Sequence, residues 1–582
     1  MKINKSRFKK FNNNFDRILI PITNRRLKMK ISNLKFLNIS LFYIGKTLIV
    51  VAFSFIYGSV SFAESRKVPL KSEGGSDSFS LPPVEKVLLS GAILYLEKVQ
   101  FSGHTVFNEM ELQAIATPFI SKNINYNDLE NLRFLVSQYY SKHGYVNSGA
   151  ILPDQNLHDG VLEIKIIEGK LTKINVNGEG WLHPDYIRGR LLDQRVLNVN
   201  DLQESYLMLI NNPLIDKLNG NLKPTNILGE SQLDLDVSLA TPYGLSIHGN
   251  NYRAPSIGAE HFLVNGWVRN LTRWGDLINF DFGLSEGSTI YAGGIVLPLN
   301  SRGTLVDFHF DLSNASVIEE PLNGVDIGSE VENFSWSLSH PFYKSLDHTV
   351  ILGVSFATKF NKTTLLGKDF SFVEGLDGGS SRISVVRVLQ EYLGHFNNHI
   401  LVFRSIFNIG IDAFNSTIQT NNTLPDSEYF SWLGQFQYAF KVLNNGAQIK
   451  VRGALQVSNQ TLLSQERISI GGVSSVRGYR ENELVRDEGY NGSIEFHYPV
   501  IGELGRAGHK LILIPFMDYG KAWNKGETSD YLHSVGIGFN WQPIRYISAD
   551  FYYGYDIKRA REKSEYNLQD DGIHFNFTLT SY

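Results

Sequence analysis

From Tyr243 to Tyr582 apolar and polar residues alternate along most of the chain. Ile278, Phe280, Phe282 and Leu284 are interleaved with Asn279, Asp281 and Gly283. Val306, Phe308, Phe310 and Leu312 are interleaved with Asp307, His309 and Asp311. Ile449, Val451, Gly453, Leu455 and Val457 are interleaved with Lys450, Arg452, Ala454 and Gln456. Val535, Ile537, Phe539 and Trp541 are interleaved with Gly536, Gly538 and Asn540. A period of two belongs to a β-strand with one apolar and one polar face. Periodicity alone fits a soluble sandwich as well as a membrane barrel whose apolar side meets lipid and whose polar side lines a bore. At roughly 20 residues per strand and loop, residues 242–582 predict an all-β transmembrane barrel of about 16 antiparallel strands, an even number. Such a barrel leaves an aqueous lumen rather than a packed interior.

Short proline segments recur after strands: Leu297-Pro298-Leu299, His340-Pro341-Phe342, Tyr498-Pro499-Val500 and Trp541-Gln542-Pro543. Proline at a strand end costs no ladder bond, so these read as the short turns of one barrel end. The polar stretches Asn314–Glu330 and Asn415–Asp426 read as loops at the other end. Gly572–Leu579, with Ile573, Phe575, Phe577 and Leu579 in phase, reads as a closing strand, and Tyr582 is out of phase with it.

Upstream the periodicity is mixed. Leu94–Phe101 reads as a strand. Asn108 caps a helix through Ile115, with Glu111 as capping-box partner. A second helix runs from Asn127 to Lys142, with Leu129, Leu132, Leu135, Val136 and Tyr139 at helical spacing, and Gly144 follows as a helix stop. Strands at Val146–Leu152 and Val161–Glu168 close the unit around an Asp159-Gly160 turn. The order then repeats, with strand Leu171–Val176, helices Pro184–Leu192 and Val199–Asn211, and strands Leu218–Leu222 and Leu233–Leu239. Two α+β domains at 94–170 and 171–241 are therefore expected, each with a sheet edge able to accept an extended peptide. Residues 64–93, containing Gly74-Gly75-Ser76 and Pro82-Pro83, read as a linker or N-terminal plug region.

Charge and composition place the chain. Of its 55 basic and 58 acidic residues, twelve and one fall in 1–63, leaving a body of net charge -14. That excludes nucleic acid as the natural partner of the body, because phosphate binding needs a basic surface. The basic head is followed by an apolar run, Thr47 to Tyr57, and by Ser61-Phe62-Ala63 before Glu64. It reads as a signal peptide over 1–63, with a signal anchor as the alternative and Met29 as a possible start. Cysteine is absent, which removes disulfide frameworks, zinc–thiolate sites and thiol nucleophiles. Neither a Gly-x-Ser-x-Gly elbow nor a His-Glu-x-x-His pair occurs, the histidines lack metal-ligand spacing, and there is no phosphate loop. His309 reads as a lumen residue, and His340 and His497 as strand-end residues. No enzymatic activity, metal or cofactor is expected.

Two motifs carry a specific signal in combination. Gly471-Gly472-Val473-Ser474-Ser475-Val476-Arg477-Gly478-Tyr479-Arg480 lies between two strands, and Phe516-Met517-Asp518-Tyr519-Gly520 follows. They resemble the Val-Arg-Gly-Tyr loop motif and the Phe-x-Asp-x-Gly wall motif of the POTRA-barrel outer-membrane superfamily. The two upstream domains resemble POTRA domains through Phe101-x-Gly103, Lys142-x-Gly144-Tyr145, Ile167-Glu168-Gly169, Asn212-Pro213-Leu214-Ile215 and Leu222-Lys223-Pro224. Thr225 stands where that family usually has glycine. With two POTRA copies the chain is most similar to the TpsB transporters of two-partner secretion, the haemolysin secretion/activation proteins of the ShlB, FhaC and HecB type.

The resemblance implies a fold and a task. Val476, Arg477, Gly478 and Tyr479 would form the tip of the sixth extracellular loop, folded into the lumen. Arg477 would pair with Asp518 of the wall motif, which also holds Phe516 and Gly520. Phe101, Gly103, Gly144, Tyr145, Gly169, Pro213 and Pro224 would be POTRA framework residues. The expected partners are a large unfolded TpsA-like exoprotein, outer-membrane lipid and, during biogenesis, the barrel-assembly machinery. The POTRA domains would lie in the periplasm. An assembly insertase of the same superfamily and a passive porin are the alternatives.

Overall fold

A computed structural model describes residues 71–72 and 93–581, except 156–158, 179, 192–194, 377, 422–423, 502–508 and 559–565. The signal peptide over 1–63, nearly all of the linker and Tyr582 lie outside the described residues.

In the linker, β1 (Lys71–Ser72) is a two-residue strand. The first α/β domain then opens with β2 (Leu94–Leu96) and β3 (Lys98–Ser102). The sequence pattern predicts one strand here, and the structure breaks it at Glu97. The amides of Glu97 and Lys98 both turn onto the Gly160 carbonyl, at 2.8 and 3.2 Å. As a result β2 pairs antiparallel with β4 (Lys122–Ile124), while β3 pairs parallel with β6 (Val161–Ile167). Between them α1 (Glu109–Ala116) starts on the predicted Asn108–Glu111 capping box, and α2 (Tyr126–Lys142) starts on a second box, Asn125 with Asp128. Gly144 follows α2 at φ 91°, a conformation that favours glycine. The strand β5 (Gly149–Ile151) completes a three-stranded sheet in the order β3-β6-β5.

The second domain comprises β7 (Lys170–Asn177), α3 (Pro184–Leu191), α4 (Val199–Ile210), β8 (Ile215–Pro224) and β9 (Glu230–Leu239). Its sheet runs β1-β8-β9-β7, so the linker strand covers the β8 edge through parallel pairing at Asn221 and Leu222. Thr225 does the work of the missing glycine by a different route. Its hydroxyl accepts from the Ile227 amide at 3.1 Å, and the positive φ falls on Gly229 instead.

The rest is a closed barrel. Its strands are β10 (Tyr243–Asn250), β11 (His261–Arg269), β12 (Leu277–Ser285), β13 (Ser288–Pro298), β14 (Leu305–Ser316), β15 (Ile327–Lys344) and β16 (His348–Leu365). After the two-residue β17 (Lys368–Asp369) come β18 (Ser380–Phe396), β19 (His399–Ile411), β20 (Phe430–Lys441) and β21 (Gln448–Ser458). Loop 6 contains a small hairpin, β22 (Ile468–Ile470) with β23 (Leu484–Arg486). The wall then resumes with β24 (Glu488–Ile501), β25 (Lys510–Trp523), β26 (Asp530–Ile544), β27 (Ile547–Asp556) and β28 (Ile573–Thr580). Setting aside β17 and the loop-6 hairpin leaves sixteen wall strands, closed where β28 pairs with β10 from Ser246–Thr580 to Asn250–Asn576.

The alternation sorts cleanly between faces. Phe280 and Leu284 face outward and are 47% and 46% exposed, whereas Asp281 between them is 6% exposed and faces the lumen. An exposed apolar band around a closed cylinder belongs in lipid, since in water it would be a large aggregation surface. His309 lies on the lumen side, as expected. The proline segments sit at the predicted end, but three of them mark bulges instead of turns. Register shifts follow Pro341 and Pro499 and span Trp541 to Ile544, and the chain turns a few residues later.

Candidate functional site

Loop 6 leaves β21, enters the barrel and returns to β24. Its hairpin buries Ile468, Ile470, Val476, Tyr479 and Leu484 against Ala522 and Leu532 of the wall. Gly520 makes this seating possible, because a Cβ there would meet Ile470 Cγ2 at 2.5 Å and Val476 Cγ2 at 2.9 Å. The wall-motif glycine is therefore a landing place for the hairpin.

At the tip, Arg477 meets Asp518. Arg477 Nε donates to Asp518 Oδ2 and Nη2 to Oδ1, both at 2.8 Å, and the Arg477 backbone amide adds a bond to Oδ2 at 3.0 Å. The side chains are 1% and 0% exposed. A guanidinium with no water around it needs its charge and its donors matched, and the planar bidentate pair does both. Two further donors are used, Nη2 on Ser493 Oγ at 2.9 Å and Nη1 on Glu495 Oε1 at 2.8 Å. The Arg477 Cζ lies 3.6 Å from the Phe516 ring centroid and 5.0 Å from that of Tyr552. Phe516 thus serves as a cation–π floor for the pair.

The neighbouring residues fix the tip in place. Gly478, at φ 90°, lies against the backbone of Gly554 in β27. The Tyr479 hydroxyl donates to the Lys558 carbonyl at 2.7 Å, lies 3.0 Å from the His533 carbonyl and accepts from the His533 amide at 3.2 Å. Arg480 forms a bidentate pair with Asp570 of loop 8, between β27 and β28, at 2.6 and 2.7 Å and an ion pair with Glu319 of loop 3, between β14 and β15. Loop 6 is therefore tied to two other outer loops as well as to the wall.

Sequence reasoning brings Val476, Arg477, Gly478, Tyr479, Phe516, Asp518 and Gly520 into one place, and the structure has them there. It misses Glu495, Ser493, Tyr552, Gly554, Arg480, Asp570 and Glu319. Glu495 was accessible from phase alone: Ser493 pairs across from Asp518, and Glu495 and His497 follow on the same lumen face. His497, read as a strand-end residue, lies 2.7 Å from Glu495 and belongs to this cluster.

The small-domain motif residues lie elsewhere, at folds and joints. Phe101 is in the first core with Leu112, Leu132 and Ile164, and Tyr145 packs against it. Gly103, at φ 79°, passes so close to Ile166 that a Cβ would lie 2.5 Å from its carbonyl oxygen. Pro213 is in the turn between α4 and β8, and Pro224 ends β8. Gly144 and Gly169 sit where the two domains meet. The Val199 amide donates to the Gly144 carbonyl at 2.9 Å and the Leu197 amide to the Gly169 carbonyl at 2.7 Å. Asn147 reaches Ser231 across the same joint at 3.0 Å.

The second domain is docked on the barrel. The His183 amide donates to the Arg273 carbonyl at 2.8 Å, and the His183 ring stacks on Trp274 at 4.6 Å. Trp181 Nε1 donates to the Leu271 carbonyl at 3.1 Å, and the Leu346 amide to Glu204 at 3.0 Å. These barrel residues lie in the turns after β11 and β15.

Comparison with known proteins agrees with this geometry. The outer membrane transporter CdiB of Dickeya dadantii is 22% identical over 444 residues, covering 72% of this chain and 75% of that protein. The heme/hemopexin transporter protein HuxB of Haemophilus influenzae is 23% identical over 472 residues, covering 74% and 77%. Among solved structures, CdiB from Escherichia coli superposes with a TM-score of 0.67 at 19% identity, covering 86% of this chain and 93% of that one. BamA from Haemophilus ducreyi, lacking its POTRA domains 1–3, superposes at 0.51 and 13% identity, covering 84% and 100%. A ShlB-type POTRA domain profile matches residues 94–169. The profile of the haemolysin secretion/activation proteins ShlB, FhaC and HecB matches residues 229–541, more than half of the sequence, and this chain belongs to that family of outer-membrane barrels with periplasmic POTRA domains.

Proposed function

We infer that this protein moves one large secreted partner, a TpsA-like exoprotein, from the periplasm to the cell surface through the barrel bore. The observation that carries this reading is the buried Arg477–Asp518 pair, which holds a loop inside a lipid-facing barrel that follows two peptide-capable domains. A passive porin needs neither the domains nor the inward loop. The client arrives unfolded, adds as a strand to an open sheet edge of a POTRA domain, and passes outward as an extended chain. Among the described residues β1 pairs with Asn221 and Leu222 of β8 and leaves the rest of that edge unpaired, and the outer strands of the larger sheets are otherwise β7 in the second domain and β3 and β5 in the first. The chain carries no phosphate loop, so direction comes from folding outside, which prevents return through a narrow bore.

The role of Arg477 is to hold loop 6 in the conformation required for transport. The test is co-expression with a large TpsA-like exoprotein from the same cells, scoring surface release for the native chain, Arg477→Ala and a chain lacking residues 94–240. Release by the native chain alone, with all three barrels assembled, is the expected result. Release independent of all three chains would refute export by this barrel.

A further inference from the structure

Arg477 is only one of the attachments of loop 6. On the outgoing limb, the Glu466 carboxylate receives Lys359 Nζ of β16 at 2.8 Å and Arg387 Nη2 of β18 at 2.8 and 3.1 Å. Lys359 also donates to the Gln465 carbonyl at 3.1 Å, and Gln456 Nε2 donates to that of Glu466 at 2.9 Å. Leu462 and Leu463 pack beside them on Ala357, Ile383 and Val385. In the wall order, β19, β20, β21 and β24 separate β18 from β25. The segment from Glu466 to Arg477 therefore bridges two separated parts of the wall as a strap, leaving β16 and β18 at Glu466 and reaching β25 and β26 from Ile468 onward.

The two ends of the strap are held differently. Arg477 is 1% exposed, uses five donor contacts and lies on an aromatic ring. Glu466 is 6% exposed and is held by two long cations that are 18% and 20% exposed. Water and salt reach those cations more readily than the sealed pair at the tip, so their hold is the more easily screened of the two. We propose that Glu466 is the releasable latch of the strap. The tip stays fixed at Asp518 while the limb leaves the β16–β18 wall and clears the bore for the client. Glu466 is a positioning residue in this account. The proposal rests on the reading of loop 6 given above and adds which end of it moves.

The native chain has no cysteine, so Ser464→Cys with Thr364→Cys gives two defined spin-label sites, on the limb and at the outer end of β16. Distances are measured by pulsed electron spin resonance on the full chain in liposomes. Glu466→Gln should raise the long-distance population about tenfold, equivalent to ~1.4 kcal/mol. Raising ionic strength should shift the native loop the same way, a readout that needs no charge variant. The same cysteine pair, bridged by a long bifunctional thiol crosslinker whose spacer reductant cleaves, should block secretion until reductant is added. Unchanged distances in Glu466→Gln and across the salt series would overturn the latch, as would full secretion by the crosslinked protein. A released limb in Glu466→Gln beside full secretion by Arg477→Ala would support the latch and remove the role assigned to Arg477.

Discussion

Gly478 of the loop tip and Gly554 of β27 touch backbone to backbone. A Cβ on Gly478 would lie 2.8 Å from the Gly554 carbonyl oxygen, and one on Gly554 would lie 2.6 Å from the Gly478 nitrogen. Gly572 closes on the same carbonyl from loop 8. The tip motif needs a matching glycine in the wall, and Gly554 supplies it.

Gly554→Val should therefore lift the tip off β27 while leaving the strand intact, at an overpacking cost of ~1–3 kcal/mol. Secretion should drop while the barrel still shows heat-modifiable migration in gels. Normal secretion by this variant would mean that the tip has room the structure does not show.

Breaking the central pair should cost more. Removing either partner strands a charge in a sealed site, worth ~3–5 kcal/mol locally. Arg477→Ala and Asp518→Ala should reduce client export more than surface abundance of the barrel. Arg477→Lys should not restore export, because an ammonium cannot make the bidentate bond or cover the Phe516 ring equally. Surface labelling and secretion assays on the same cultures separate the two effects.

Glu168 gives the first POTRA domain a pH dependence. Burial pushes its carboxyl up, but the Thr105 hydroxyl, the Thr105 and Val106 amides and the Tyr140 hydroxyl together hold it below the ordinary 4.5. A carboxyl depressed by folding stabilises the fold above its unfolded value, and that contribution is lost as pH falls through the folded value. Hydrogen exchange at Thr105 and Val106, corrected for intrinsic rates, should show protection constant near neutrality and declining below about pH 4.5. Glu168→Gln should show weak protection at every pH.

The joint between the POTRA domains should respond to a single methyl group. A Cβ on Gly144 would lie 2.4 Å from Asn198 Oδ1, and its φ of 91° disfavours any other residue. Asn198 also donates to the His143 carbonyl at 3.0 Å, so moving it loosens both sides. Gly144→Ala should broaden the distance between labels placed on the two domains. An unchanged distribution would show that the joint does not depend on this contact.

Much of this was legible in the residue order because a membrane barrel obeys a strict two-residue rule. Phe280 and Asp281 had to face opposite ways, whatever the rest of the chain did. The capping box at Asn108 and Glu111 was local and complete in four residues. Less legible were features set by distant partners. Leu94–Phe101 looks like one strand because nothing near Glu97 reveals that the Gly160 carbonyl will split it. Pro341, Pro499 and Pro543 look like turns because a bulge depends on the partner strand. Arg480, Asp570 and Glu319 are widely separated in sequence, and only the fold of three loops shows that they meet. Gly554 carries no motif of its own, and its role appears only when the Gly478 backbone is laid against it.

Ser335 and Trp336 are neighbours on β15 that face opposite ways, the first 6% exposed on the lumen side and the second 48% exposed toward lipid. A photo-crosslinking amino acid placed at each position in turn, in cells exporting the client, asks directly where the client travels. Passage through the bore predicts client adducts from position 335 and none from position 336. Adducts from 336 alone, or continued export with no adduct from 335, would contradict transport through the lumen.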